Sequence, residues 1–243
     1  MSQQINLVIN GKGGVGKSFV ATNLVQYFKD RQLVHHVIDT DHENSTLKRF
    51  HPEAQFINLE EEREIDGVLD AAESCDLLVV DCRAASTDLF VSFFEEVCLE
   101  EVLAKLDARL TVICPVNHEA DSVEQIRVLS STWEHACQWI IVKNEAHCES
   151  FKLYDSSKVR RYLLDSLQAQ EISMKRLHNW LVTAFNEHGV TATGALKHPG
   201  FNLLDRQRVK RWQTALYEQF DLVSELLLPA ASQPSGMVAG KPQ

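Results

Sequence analysis

The chain has 243 residues, 44% of them hydrophobic, enough to bury roughly 70–75% of the unfolded surface in one core without disulfides. Its net charge of −10 argues against broad, obligatory nucleic-acid binding and leaves only a local basic surface for such contact. No apolar run approaches the ~18 residues of a membrane span, and the six scattered cysteines form no CxxC or Cys/His zinc spacing.

Met1-Ser2-Gln3-Gln4 leads straight into an apolar run, so no signal peptide is expected and a cytoplasmic protein with reduced cysteines is. That run, Ile5 to Ile9, has the character of a buried strand. Directly after it, Gly11-Lys12-Gly13-Gly14-Val15-Gly16-Lys17-Ser18 fits the pattern G-x-x-x-x-G-K-[ST], and Phe19, Val20, Leu24, Val25 and Phe28 then fall on one helical face. Strand, glycine-rich loop and helix are the context in which this motif binds a nucleotide. Its glycines let successive backbone N–H groups turn toward phosphate oxygens, and the helix start adds the positive end of its dipole. Gly11, Gly13, Gly14, Val15, Gly16, Lys17, Ser18 and Phe19 are therefore the expected nucleotide-binding residues. Lys17 is placed to reach the β- and γ-phosphates, and Ser18 to ligate Mg²⁺.

Further apolar runs follow at Leu33–Ile38, Leu77–Val80, Leu110–Cys114 and Trp139–Val142, with a weaker one at Glu171–Met174. Helical spacing occupies Asp66–Ala72, Leu89–Leu106 and Ser122–Trp133. This alternation predicts an α/β fold of three layers, a mainly parallel sheet flanked by helices, with ligands at the carboxyl ends of the strands. Polar residues just after each run are thus the candidates for chemistry. Asp39 and Asp41 follow the second run and Asp81 the third; a carboxylate near Ser18 is needed to organise the metal, and Asp81 fits the Walker B position. Ser18, Asp39 and Asp81 form the expected Mg²⁺ set, although any one strand-end aspartate serves equally well as a helix cap. After Trp139–Val142 comes Asn144, whose amide can offer an adenine edge both a donor and an acceptor, or simply make a turn. His118, His147 and His178 are isolated, so no metal triad is expected.

Near the end, Val209, Trp212, Leu216, Phe220, Val223 and Leu227 recur at spacings of three and four, predicting an amphipathic helix over about 203–228 packed on the domain. Its polar side carries Arg206, Arg208, Lys210 and Arg211, the local surface through which DNA contact is conceivable. The basic face gives way to Glu218, Asp221 and Glu225, which disfavours a membrane-lying helix. Residues 1–228 are expected to form one domain and residues 229–243, rich in Pro, Ser and Gly, a flexible tail.

Lys12-Gly13-Gly14-Val15-Gly16-Lys17-Ser18 resembles the deviant Walker A of ParA/MinD-type P-loop ATPases, whose extra signature lysine corresponds to Lys12. Val37-Ile38-Asp39-Thr40-Asp41 is similar to that family's first switch, Val79-Val80-Asp81 to its second, and Pro115 to Ser122 to its loop toward the dimer surface. Asn144 falls where the family reads adenine. The whole chain looks most like plasmid-encoded members of the StbB and TraL type. The resemblance implies ATP and Mg²⁺ as ligands, an ATP-dependent homodimer in which Lys12 acts in trans on the partner's phosphates, Asp41 placing the attacking water, and slow hydrolysis stimulated by a plasmid-encoded partner protein. Catalytic roles thereby fall to Lys12, Lys17 and Asp41, in a switch serving plasmid stability, partition or conjugative transfer. A nucleotide-gated binding module with negligible hydrolysis and a small-molecule kinase on the same fold are the alternatives.

Two departures stand out. The family's second switch reads Asp-x-Pro-x-Gly, its glycine amide sensing the γ-phosphate, whereas this chain has Asp81-Cys82-Arg83-Ala84-Ala85. Arg83 there is a candidate for phosphate or partner contact, or for a surface ion pair. The proline that relatives often carry after the weak strand at Glu171–Met174 is also absent.

Overall fold

Each apolar run becomes a strand, and the strands align side by side. A computed structural model describes residues 2–230 apart from 43, 62 and 147; most of the expected tail, and His147, lie outside the described residues. Strands β1 (Gln3–Val8), β2 (His36–Asp39), β3 (Gln55–Phe56), β4 (Leu77–Asp81), β5 (Ala108–Val116), β6 (Gln138–Asn144) and β7 (Gln170–Met174) form one sheet in the order β3-β2-β4-β1-β5-β6-β7. Every neighbouring pair is parallel. The helices are α1 (Lys17–Asp30), α2 (Thr46–Phe50), α3 (Gly67–Glu73), α4 (Thr87–Glu96), α5 (Leu99–Lys105) and α6 (Ala120–Trp133). They continue with α7 (Lys152–Asp155), α8 (Lys158–Asp165), α9 (Asn179–His188), α10 (Ala192–Ala195), α11 (Leu203–Leu222) and α12 (Ser224–Leu227).

Strand alternation divides the core into two halves. Leu7 of β1 and Ile9 just beyond it, with Leu78 and Val80 of β4, face Phe90, Phe94, Ile126, Leu129 and Trp133 on α4 and α6. Val8, Leu77 and Val79 point the other way, toward Leu24, Val25 and Phe28 of α1 and Val209, Trp212, Leu216 and Phe220 of α11. With both faces covered, the strands are apolar nearly throughout, as parallel sheets require.

Three elements differ from expectation for local reasons. β2 begins at His36, not Leu33, because the amides of Arg31, Gln32 and Leu33 bond back to the last carbonyls of α1. The helical stretch Leu89–Leu106 is two helices, broken at Cys98, whose φ of 51° lies in the left-handed region. The C-terminal helix likewise stops at Leu222, and α12 turns under the amino edge of the sheet. There the Asn6 amide donates to Leu227 O at 3.0 Å, the Thr111 hydroxyl to Leu226 O at 2.5 Å and Arg109 to Leu228 O at 2.7 Å. β3 was too short to register as a pattern.

Candidate functional site

At the opposite, carboxyl edge, β1, β2 and β4 end level with one another. Val8 and Asp39 are both register partners of Asp81, so the loop after β1 leaves the sheet beside Asp81, with Asp39 one strand further on. Gly16 takes φ 96°, open to glycine at no steric cost, and a Cβ there would collide with the Asn144 amide. At Gly11 a Cβ would meet Gln125 of α6 and Thr87 of α4. The loop is thus moulded against neighbours on both sides.

Lys17 is buried, and its ammonium donates to the Lys12 carbonyl at 3.0 Å, closing the loop around its own lysine. Burial lowers its pKa, and the nearby Asp81 carboxylate opposes that shift. Asp81 is 1% exposed and, among the described residues, its carboxylate oxygens make no hydrogen bond of good geometry, with the Ser18 hydroxyl lying close by. Burial, then the Asp39 charge, pushes its pKa up to about 8; the Ser18 hydroxyl and Lys17 lie close enough to offset part of this. An orphaned buried carboxylate of this kind costs at least about 1–3 kcal/mol, and such a cost concentrates at functional sites. Asp39 is equally buried but satisfied, accepting from the backbone N–H of Asp41 and of Lys48, each at 3.0 Å. Its pKa is raised by burial, with those two bonds pulling the other way. Asp41 accepts from the backbone and side-chain amides of Asn44 at 3.1 and 3.2 Å, turning the chain into α2.

Lys12 points away from the loop's interior. Its ammonium lies 2.8 Å from Glu119 and 3.4 Å from Asp121, at the start of α6; Glu119 and then Asp121 raise its pKa, and Lys12 in turn lowers that of Glu119. Asn144 is buried, with its amide donating to Val15 O at 2.8 Å and its oxygen accepting from Ala146 N at 3.0 Å. It therefore braces the phosphate loop in this conformation. Phe19 packs on Trp212, ring centres 5.6 Å apart.

The segment after Asp81 turns back toward the loop after β1. Ala85 stands where the resemblance places the glycine, has φ 57°, and its N–H donates to Gly11 O at 2.9 Å. A backbone donor is thus aimed at the phosphate loop without the glycine. Arg83 pairs with Glu60 at 2.9 Å, the surface ion-pair reading.

Matched against protein families, residues 7–230 fit the CobQ/CobB/MinD/ParA nucleotide binding domain. The chain belongs to this family. Protein MobD of Acidithiobacillus ferrooxidans is 30% identical over 168 residues, 66% of this chain and 72% of MobD. Protein TraL of Escherichia coli is 24% identical over 245 residues, 92% of this chain and 99% of TraL. Among solved structures, a nucleotide-binding protein in complex with ADP from Archaeoglobus fulgidus superposes with TM-score 0.50 at 16% identity, over 77% of this chain and 86% of that one. The all-parallel sheet around a P-loop is the fold that this MinD/ParA-type family shares.

Residues not singled out from sequence also shape this family site. Thr40, fully buried, accepts from Arg83 N at 3.0 Å and donates to Asp81 O at 3.1 Å, tying the ends of β2 and β4 together. Asn10 donates to Pro115 O and Ser122 O at 2.9 and 3.0 Å and accepts from Lys12 N, anchoring the loop's first turn to β5 and α6. Both lie directly after an apolar run, which was the available signal. On α11, Arg206 donates to His198 O and Arg208 pairs with Asp205, whereas Lys210 and Arg211 are exposed. Among the described residues no group of three or more His, Cys, Asp or Glu is arranged to hold a metal ion, and no helix is long and apolar enough to cross a membrane.

Proposed function

We propose that the chain is a Mg²⁺-ATP-dependent dimerising switch that hydrolyses ATP slowly and serves plasmid stability, partition or conjugative transfer together with a plasmid-encoded partner. The observation that carries this reading is the buried Asp81 carboxylate, held by no well-formed hydrogen bond among the described residues, beside the Ser18 hydroxyl and Lys17. A hard cation is what such a carboxylate lacks, and Mg²⁺ held through Ser18 and Asp81 would neutralise phosphate charge there. Asp39, already satisfied by the backbone amides of Asp41 and Lys48, would hold such an ion through its waters.

Phosphoryl transfer to water needs positioning and charge neutralisation more than a strong base. Lys17, released from the Lys12 carbonyl, holds the β- and γ-phosphates. Asp41 orients the attacking water, the Ala85 amide donates to the γ-phosphate in place of Gly11 O, and Asn144 turns its amide to the adenine edge. Lys12 leaves Glu119 and Asp121 to reach the phosphates of a second copy. DNA contact, where it occurs, falls to Lys210 and Arg211 before the two arginines already paired.

The test is molar mass in solution with Mg²⁺ and ADP, ATP or a non-hydrolysable ATP analogue, with phosphate release followed in the same samples. A dimer only with the triphosphate, together with slow release, is expected. Lys12→Ala should stay monomeric, and Lys17→Ala should neither dimerise nor hydrolyse. A triphosphate dimer with release at background, even with partners, would select the nucleotide-gated module, the reading favoured by the altered second switch. A mass indifferent to nucleotide would undo the dimer and turn attention to a kinase or a constitutive scaffold.

A further inference from the structure

Away from the phosphate loop, α4, α5 and the end of α6 enclose a groove of about 320 Å³. Val91, Phe94, Leu99 and Trp133 supply its apolar lining, and Glu95, Glu100 and Glu101 its polar one. Segment 87–106 carries Asp88, Glu95, Glu96, Glu100 and Glu101 against Lys105 as its one cation. Among the described residues Glu95 and Glu100 have no cationic partner, and Glu101 has only Lys105, 4.0 Å away and itself exposed. The break at Cys98 turns the acidic start of α5 toward α4 and so gathers these carboxylates around one groove.

A second observation sits in the groove wall. Trp133 is 5% exposed and, among the described residues, its indole N–H has no hydrogen-bond partner, whereas the indole of neighbouring Trp139 donates to Glu134 O at 2.9 Å. Buried indoles usually find an acceptor. The nitrogen is closed to solvent as the groove stands, so an oxygen of a docked segment would pair with it once the ring turns toward the groove.

We propose that this groove receives a cationic amphipathic segment of a partner protein, an apolar side chain seated against Phe94 and Trp133 and its lysines or arginines paired with Glu95, Glu100 and Glu101. The carboxylates repel nucleic acid and anionic membrane, which leaves a basic polypeptide as the complementary partner. Apolar anchor, buried centre and charged rim are the anatomy of a peptide-in-groove contact. The groove stands apart from the nucleotide site, so its test is indifferent to whether ATP is hydrolysed.

The probe is a short, fluorescein-labelled synthetic helix of Leu, Ala and Lys, titrated into the full chain and followed by anisotropy, with its Lys-to-Glu counterpart alongside. The cationic helix should bind and the anionic one should not. The exposed-site variant E95Q/E100Q/E101Q should weaken binding at least ~10-fold, as should Thr132→Trp, which fills the groove from its rim. D165N/E187Q/E218Q, removing the same charge elsewhere on the surface, should change affinity less than ~3-fold. Equal weakening by the two charge variants, indifference to Thr132→Trp, or no binding of the cationic helix to the native chain would each overturn the proposal. Circular dichroism of the variants separates a lost site from a lost fold.

Discussion

The ends of β2 and β4 hold two aspartates that are register partners and almost equally buried, yet they live under opposite conditions. Asp39 spends both oxygens on the backbone amides of Asp41 and Lys48 and so directs the chain into α2. Asp81 spends neither on a backbone amide, and its pKa is pushed up to about 8 by burial and by the Asp39 charge, with the Ser18 hydroxyl offsetting part of this. One carboxylate shapes the turn that follows it; the other is left without a backbone partner. The difference follows from what comes next in the chain: β2 is followed by a turn that brings an amide back, while the segment after β4 leaves toward Glu60 and the phosphate loop.

The comparison breaks most sharply under substitution. Asp81→Asn should lower Mg²⁺-dependent phosphate release at least ~100-fold, because the amide neither binds the cation nor offsets its charge. Melting of the nucleotide-free variant should nevertheless rise, by about 1–2 kcal/mol, or ~2–8 °C for a chain of this size. Asp39→Asn should do the reverse. An amide offers one oxygen where two are used, so its NH₂ confronts one of the N–H donors, and stability falls by about 1–3 kcal/mol. Turnover, measured below the melting range, should drop less than ~10-fold. If both variants lose stability alike, the asymmetry between the two strand ends is without consequence.

Titration sharpens the same contrast. The Asp81 carboxyl is held above its ordinary value in the folded chain, so the folded state keeps a proton that the unfolded state gives up. The stability this contributes is complete below about pH 4 and is lost as pH rises toward about 8. Asp39, also raised, adds in the same direction. The melting temperature of the native chain, compared with Asp81→Asn, should therefore fall progressively behind between pH 4 and pH 8 and then run parallel. Mg²⁺-nucleotide should close part of that gap and release protons on binding near neutrality; parallel curves throughout would mean that Asp81 is not the orphan it looks to be.

Little of this asymmetry was legible beforehand, though its components were. The phosphate loop declares itself because its spacing is local, and the aspartates because a parallel sheet turns each strand end into a candidate position. Which carboxylate is satisfied depends on the Lys48 amide, nine residues beyond Asp39 and delivered by a helix too short to show periodicity. Lys12 finds Glu119 and Asp121 across more than a hundred residues, a pairing that spacing alone does not reveal. At Cys98 the apolar pattern runs on through Leu99 and Leu103 while the backbone breaks without glycine or proline, so the periodicity predicts one helix where there are two.

The same lesson holds at Ala85, where the smallest effect is expected. Its φ of 57° sits where a side chain costs about 1–2 kcal/mol and glycine costs nothing sterically. Yet the contact made there, N–H to Gly11 O at 2.9 Å, belongs to the backbone and is available to either residue. Ala85→Gly should therefore keep the contact and relieve the strain, with part of the gain lost to the freer unfolded chain. The net is a rise of about 0–1 kcal/mol, at most ~4 °C in melting temperature. Ala85→Val, β-branched and poorer still in that conformation, should melt below the native chain. Were Ala85→Gly to melt lower instead, the alanine methyl would have to be making a contact worth more than the strain. The substitution would then mark a rebuilt second switch, not a conserved backbone donor carried by a less suitable residue.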